Sequence, residues 1–414
     1  MGEVERILIV SQYFSPDITA AAHRLTDLRN FLQGQGQQVD VITSFPHKVK
    51  IQLQGEPEPD IVRVKLPVGA TSTFARLWEQ SLFAAKALAA YLVNFRKRRY
   101  KVVIASSPPL FVGVVGYVLS RWTGAKFILD VRDIWPGSVA AAGIAGDSSL
   151  PIKIASRIER WLYRVADCVT CVSQPMKAYL ENFIESSKVR VVYNGVSSTE
   201  LTSVSEQSRI RGRENASLHA DVGPDKGTER RLCLVYAGNI GLVQDIDVLI
   251  EALKYTHPET IGRLRVRIIG GGPERSRLEA MVASDPVASK IVSFEGPYPK
   301  AELTRILVQS ADALFVHLRS DPILDRTIPS KVFDACLFNV PIVYGLSGEG
   351  RDILASLSGT LAFQQGSPRS LASALDELVQ NYERYYAGAR EHRSFVERHF
   401  TREVCFRPLL DIVL

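Results

Sequence analysis

A chain of 414 residues is too long for one ordinary core and predicts two domains of about 200 residues each. Its 46% hydrophobic and 23% charged content is that of a globular protein. A net charge of +6 is too mild for a nucleic-acid coat, though it suits an anionic ligand or a membrane surface. The five cysteines, Cys168, Cys171, Cys233, Cys336 and Cys405, imply no disulfide framework and point to a reducing cytoplasm.

The opening "MGEVERILIVSQYF" has no basic region followed by a long apolar core, so it reads as a first β-strand and not as a signal peptide. No apolar run reaches the roughly 18 residues that a spanning helix needs. After the loop from Phe14 to Thr19, "AAAHRLTDLRNFLQGQG" predicts a helix that ends in glycine. Its small first residues leave room for a ligand, and His23 and Arg24 could face a cleft or solvent. The strand "QVDVITS" follows. The apolar helix "LFAAKALAAYLV" runs into five cations, Arg96, Lys97, Arg98, Arg99 and Lys101. They are either a solvated helix end or, with the apolar residues beside them, a contact for an anionic membrane surface.

Further strands, "KVVIASSPP", "AKFILDVRD", "ADCVTCVS" and "VRVVYNG", alternate with helix-length segments. Val/Ile-rich strands between helices mean a parallel sheet covered on both faces. Cys168 and Cys171 fall inside one of these strands without a second Cys or His pair, so they read as buried. Asp130, Arg132 and Asp133 stand at a strand's end, where an open sheet collects its ligands. The pattern fits either an ion pair with Arg132 or a carboxylate, Asp133, that touches substrate.

The same grammar restarts at "RRLCLVYAGNIG" and continues through "LRVRIIGGG", "KIVSFEG", "ADALFVHL" and "VPIVYGL". The expected organisation is a first domain over 1–198, a polar linker over 199–229, a second domain over 230–395, and a C-terminal helix over 396–414 returning toward the first. The fold class is α/β, two doubly wound, Rossmann-like parallel sheets facing a cleft. In the second domain, Gly270, Gly271 and Gly272 lie between a strand and a helix. Glycines there let backbone approach a ligand, but Pro273 and Glu274 break the dinucleotide fingerprint. Asp245 and Asp247 have D-x-D spacing and sit at a helix start, where capping explains them better than a metal. In "RTIPSKVFDAC", Ser330 reads as a helix cap, and Lys331 with Asp334 could grip a phosphate and a sugar hydroxyl on one helical turn.

Together "SQYFSPDITAAAHR", "RDIWP", "VVYNGV", "YAGNIG", "GGGPER", "FEGPYPKAEL" and "IPSKVFDACLFNVPIV" resemble the family-four retaining glycosyltransferases of GT-B fold, along nearly the full chain. The similarity is greatest to the O-antigen and capsule subgroup that includes N-acetylfucosamine transferases. The resemblance implies a UDP-sugar donor held by the second domain. Gly296 to Tyr298 would meet the base and Gly271 and Gly272 would line the nucleotide. Asp334 would bind the ribose and Lys331 would neutralise the diphosphate, with Gly348 and Glu349 also on the donor side. It places an acceptor, a glycan or a polyprenyl-diphosphate-linked glycan, beside Thr19, Ala20, Arg132 and Asp133. Retention, metal independence, the absence of any cofactor or nucleic-acid partner, and a location on the inner face of the cytoplasmic membrane are further implications.

Three positions depart from the family pattern. The first of its two glutamates falls on Arg326. Its diphosphate-binding Arg and Lys are replaced by Asn239 and Gln244, leaving Lys331, Arg326 and Arg319 to supply charge, and its Gly-Gly pair by Thr19 and Ala20. Competing readings are a UDP-sugar 2-epimerase-like isomerase, for which few histidines lie near the motifs, and a non-catalytic nucleotide-sugar-binding scaffold.

Overall fold

The computed structural model describes residues 5–17, 19–46, 58–67, 73–135, 137, 150–208 and 231–414. The chain forms two compact units, Met1–Asn194 with Arg402–Leu414, and Gly195–Thr401. The first is built on seven strands: β1 (Arg6–Val10), β2 (Val39–Ser44), β3 (Ile61–Val64), β4 (Tyr100–Ser107), β5 (Lys126–Val131), β6 (Cys168–Cys171) and β7 (Val189–Val191). They lie in the order β3-β2-β1-β4-β5-β6-β7 and every pairing is parallel. The second carries β8 (Leu232–Ala237), β9 (Leu264–Ile269), β10 (Val292–Glu295), β11 (Ala313–His317), β12 (Ile342–Gly345) and β13 (Thr360–Ala362), in the parallel order β10-β9-β8-β11-β12-β13.

Each order steps outward from one central strand and then reverses, at β1/β4 and at β8/β11. Loops leaving the carboxyl ends of adjacent strands diverge at such a switch point and leave room for a ligand. The central strands are buried on both faces, which is why they read as unbroken apolar runs; Ile7, Leu8, Ile9 and Val10 are all 0% exposed.

Several boundaries differ from those read in the sequence. The units divide at Asn194/Gly195, and residues 199–208, expected to be linker, are helical and belong to the second unit, while the rest of the expected linker up to 229 lies outside the described residues. The return to the first unit falls at Thr401/Arg402, not at 396. The helix His392–His399 stays in the second unit, where Phe395 and Phe333 both pack on Phe400. The last helix, Arg402–Val413, lies on Ala20–Gly34, with Phe406 5.7 Å from Phe31. Phe406, Leu409 and Val413 join Ile7, Ile9, Leu25 and Leu28 in one core. All five cysteines are buried thiols.

The basic run after helix Thr73–Asn94 is not uniform. Arg98 turns back onto Asp40 and Asp60 and stacks on Phe95, so it drops out of any surface contact. The described residues contain no helix long and apolar enough to cross a membrane.

Candidate functional site

Every donor-side residue named from the sequence lies beyond the carboxyl end of a strand of the second sheet. Asn239 and Gln244 follow β8, Gly271 and Gly272 follow β9, and Gly296 and Tyr298 follow β10. Arg326, Lys331 and Asp334 follow β11, and Gly348 and Glu349 follow β12. The β8 and β9 loops are stacked backbone on backbone. Ile240 N–H donates to Gly271 O (2.8 Å) and Glu274 N–H to Ile240 O (3.1 Å). A Cβ at Gly270 would sit 1.9 Å from Gly238 O, and one at Gly272 would sit 2.1 Å from Ile240 O. Both glycines have positive φ, 147° and 157°. They are required by this loop-on-loop contact, whereas Gly271 meets nothing nearer than Pro297, at 3.8 Å.

Arg275, which the sequence reading passes over, ties the platform together. Its guanidinium donates to Gly270 O (2.7 Å), Glu295 O (3.1 Å) and Gly296 O (2.7 Å), gathering the ends of β9 and β10. His317 does the same for β11. Its Nδ1 lies 3.1 Å from Gln244 O and its Nε2 accepts from Gly366 N–H (3.2 Å), the pattern of a neutral ring protonated at Nδ1. Burial lowers its pKa, and it stacks against both Phe315 and Phe363.

Lys331 opens the short helix Lys331–Cys336, whose Val332, Phe333, Ala335 and Cys336 are anchored in the core. Ser330, expected to cap it, has helical backbone and makes no side-chain cap; the start is set by backbone bonds from Phe333 and Asp334 N–H to Ser330 O. The Lys331 stem crosses Gly238, and its Nζ lies 3.9 Å from the centroid of the Tyr236 ring and donates to the Tyr236 hydroxyl. That hydroxyl in turn donates to Asn239 O (2.5 Å). Burial drives the Lys331 pKa down to about 7, and the nearby Asp334 carboxylate only partly opposes it. Lys331 and Asp334 share the wall of an apolar hollow of about 120 Å³, closed by Val235, Leu307, Leu314 and Phe338.

A Cβ at Gly238 would fall 2.4 Å from Lys331 Cε, at a φ of 144°. Gly238→Ala is therefore expected to push the ammonium off its seat and weaken nucleotide binding at least tenfold, read by titration with UDP. A wild-type affinity would mean that the lysine position is unimportant.

Asn239 and Gln244, which stand where the family has cations, bind each other: Asn239 Nδ2 and Gly241 N–H both donate to Gln244 Oε1 at 3.1 Å. They order the β8 loop. Arg326 ends the turn Leu324–Arg326, whose Asp325 O abuts Gly348; a Cβ there would lie 2.2 Å away. Glu349 sits in the first turn of helix Gly348–Ala355. The D-x-D pair does not cap: Asp245 adopts a left-handed conformation (φ 48°), and Asp247 receives Arg277 at 2.7 and 2.9 Å.

In the first unit, Thr19 caps helix Ala20–Gly34 through Ala22 N–H (3.1 Å), and Ala20 is exposed. Arg24 faces neither cleft nor solvent. At 2% exposure it pairs with Asp130 (3.0 Å) and donates to Val192 O and Tyr193 O. Asp130 also accepts from Ser106 and Thr170, both at 2.8 Å. Arg132 bonds Ser106 Oγ (2.8 Å) and Pro108 O and, among the described residues, does not itself pair with a carboxylate. Burial would raise the Asp130 pKa, but Arg24, helped by Arg132 and Ser106, holds it below the usual range. Asp133 is half-buried just past β5. Glu159, a second residue the sequence reading missed, is buried against Tyr163 Oη (2.6 Å), and burial raises its pKa to about 8.

Residues 19–195 match the glycosyl transferase 4-like domain family, and residues 231–381 match the glycosyl transferases group 1 family. Each half thus matches a glycosyltransferase domain family. WcaI of Escherichia coli (strain K12), provisionally named a colanic acid biosynthesis glycosyl transferase, is 25% identical over 67% of this chain and 68% of its own. Among solved structures, sucrose-phosphate synthase from Thermosynechococcus elongatus aligns with a TM-score of 0.74 at 17% identity, covering 99% of this chain and 98% of that one. Anabaena HepE in complex with UDP aligns with a TM-score of 0.68 at 12% identity, covering 98% and 99%. The glycosyltransferase fold is thus the two-sheet GT-B fold.

Proposed function

We propose that this glycosyltransferase moves a sugar from a UDP-sugar to a glycan or polyprenyl-diphosphate-linked glycan during cell-surface polysaccharide synthesis, at the inner face of the cytoplasmic membrane. The observation that carries the reading is Lys331, a half-buried lysine whose pKa burial lowers to about 7, at the β8/β11 switch point beside the carboxylate of Asp334. A sugar leaving from a diphosphate puts developing negative charge on the phosphate oxygens, and a preorganised cation in a water-poor site stabilises it. Glycine turns after β8, β9 and β10 form the same rim, with the β8 and β9 loops packed backbone on backbone. The HepE complex with UDP supports the nucleotide, and the name of WcaI supports the polysaccharide context.

In this reading the departing phosphate accepts the acceptor's proton on the same face of the sugar, giving retention without a dedicated base. No metal and no cofactor take part. Asp133, at the end of β5, faces the acceptor and the reacting carbons, with Thr19, Ala20 and Arg132 beside it. An N-acetylated amino sugar is the donor favoured by the motif resemblance.

The test is a thermal-shift screen over UDP-, GDP- and ADP-sugars, followed by UDP release with a lipid-linked acceptor extract. A true donor at a hundredfold excess over its dissociation constant stabilises the fold by about 2.7 kcal/mol. Stabilisation by UDP-sugars, with acceptor-dependent UDP release, supports the proposal. Consumption of UDP-N-acetylglucosamine without acceptor would replace it with isomerase chemistry, and binding without turnover would leave a scaffold.

A further inference from the structure

Helix Thr73–Asn94 ends with Leu92 and Val93, 48% and 82% exposed, and helix Leu110–Thr123 ends with Trp122, 55% exposed. Both helix ends lie beside the strand starts Tyr100 and Lys126. Because β1, β4 and β5 are adjacent and parallel, these segments meet at the amino edge of the first sheet. This is the end remote from the loops that carry Thr19 and Asp133. Here Glu5, Arg96, Arg99, Lys101, Trp122 and Lys126 surround an open hollow of about 560 Å³. Arg96, Lys97, Lys101 and Lys126 form no ion pair among the described residues, and Arg96, Lys97 and Lys126 are exposed.

We propose that this corner docks on an anionic phospholipid bilayer, with a headgroup phosphate in the hollow and Leu92, Val93 and Trp122 in the interface. The charge is complementary: one carboxylate, Glu5, stands among at least four cations in the lining, a balance that suits a phosphate-bearing surface. The apolar residues are not scattered but flank those cations on two neighbouring helix ends. An indole beside lysines and arginines is the arrangement that sits at headgroup depth. A solvated helix end accounts for the cations but not for Val93 and Trp122 beside them. Nothing in this argument uses the nucleotide site, so it stands apart from the proposed transfer reaction.

The experiment is co-sedimentation of the full chain with vesicles of phosphatidylcholine alone or with phosphatidylglycerol added, at low and high salt. The protein is expected to pellet with the anionic vesicles, to stay in solution with the neutral ones, and to be released by salt. The triple variant Arg96→Glu, Lys97→Glu, Lys101→Glu should lose at least tenfold in bound fraction at an unchanged thermal midpoint. The single exposed change Lys126→Glu, and Trp122→Ala separately, should each lower binding severalfold, which keeps the test decisive if the triple variant folds poorly. Equal pelleting of wild type and charge-reversed variants, equal binding to neutral vesicles, or no binding to either would overturn the proposal. No nucleotide is present, so these failures bear on the membrane location in the proposed function and not on the transfer chemistry.

Discussion

Lys331→Met is expected to cut sugar transfer by about a hundredfold or more while raising the thermal midpoint. The ammonium sits against the Tyr236 ring and the Gly238 backbone, and burial lowers its pKa from 10.5 to about 7. Below about pH 7 it is charged in both the folded and the unfolded chain; between there and 10.5 only the unfolded chain holds the proton. Stability therefore rises with pH across that window, and the methionine variant should lose that slope. An apolar side chain of similar length also removes a desolvation penalty, so a gain of about 1–3 kcal/mol is expected, or a few degrees in melting. Turnover should fall by about a hundredfold or more, the usual cost of removing one preorganised donor from a developing oxyanion. A nucleotide sugar carries constant charge over this range, so its affinity should be flat at acid pH and weaken toward about tenfold per unit above 7, with proton uptake on binding. Calorimetry in two buffers of different ionisation enthalpy measures that uptake. Binding independent of pH, or a methionine variant with wild-type turnover, would remove Lys331 from the reaction.

Arg24→Met should be the most damaging single change in the first unit. Arg24 is 2% exposed, and its removal strands the Asp130 carboxylate among Ser106, Thr170 and the ends of β4 to β6. Breaking one side of such a pair costs about 3–5 kcal/mol. Asp130→Asn on top of Arg24→Met should recover much of the loss, because the charge that lacked a partner is gone. The pair also sets an acid limit. The folded pKa of Asp130 lies below its ordinary 3.8, so its contribution is complete above that value and disappears as pH falls through the folded one. Urea titrations of the two variants and the wild type at neutral pH and near pH 3 measure both effects. A loss under about 1 kcal/mol would mean that water reaches the pair.

The central strands were legible because burial on both faces forces an unbroken Val/Ile run, as in "RILIV" and "LCLVYA". Ile61–Val64 and Thr360–Ala362 escaped notice for the opposite reason. Each is an outermost strand of three or four residues, paired on one side only, and needs no such run. Residues 199–208 read as linker because a short helix with one apolar face, Leu201 and Val204, looks polar in composition. At the site, the residues carried by motifs (Lys331, Asp334 and the glycine loops) could be named in advance. Arg275, His317 and Glu159 could not, because their roles come from packing. Arg275 reads as an ordinary helix-surface charge until three carbonyls from β9 and β10 arrive around it. Arg24 reads equally as a cleft or a solvent residue, since nothing local announces a partner 106 residues away.

The second unit is an uninterrupted segment, residues 195–401, spliced between the two pieces of the first. On the ribosome the first sheet can pair its strands early, yet the groove along helix Ala20–Gly34 waits for Phe406, Leu409 and Val413, which emerge only after the whole second unit. Synthesis order and completion order are therefore reversed: the unit begun first is finished last. Until then its unfilled groove is a place for a chaperone to hold.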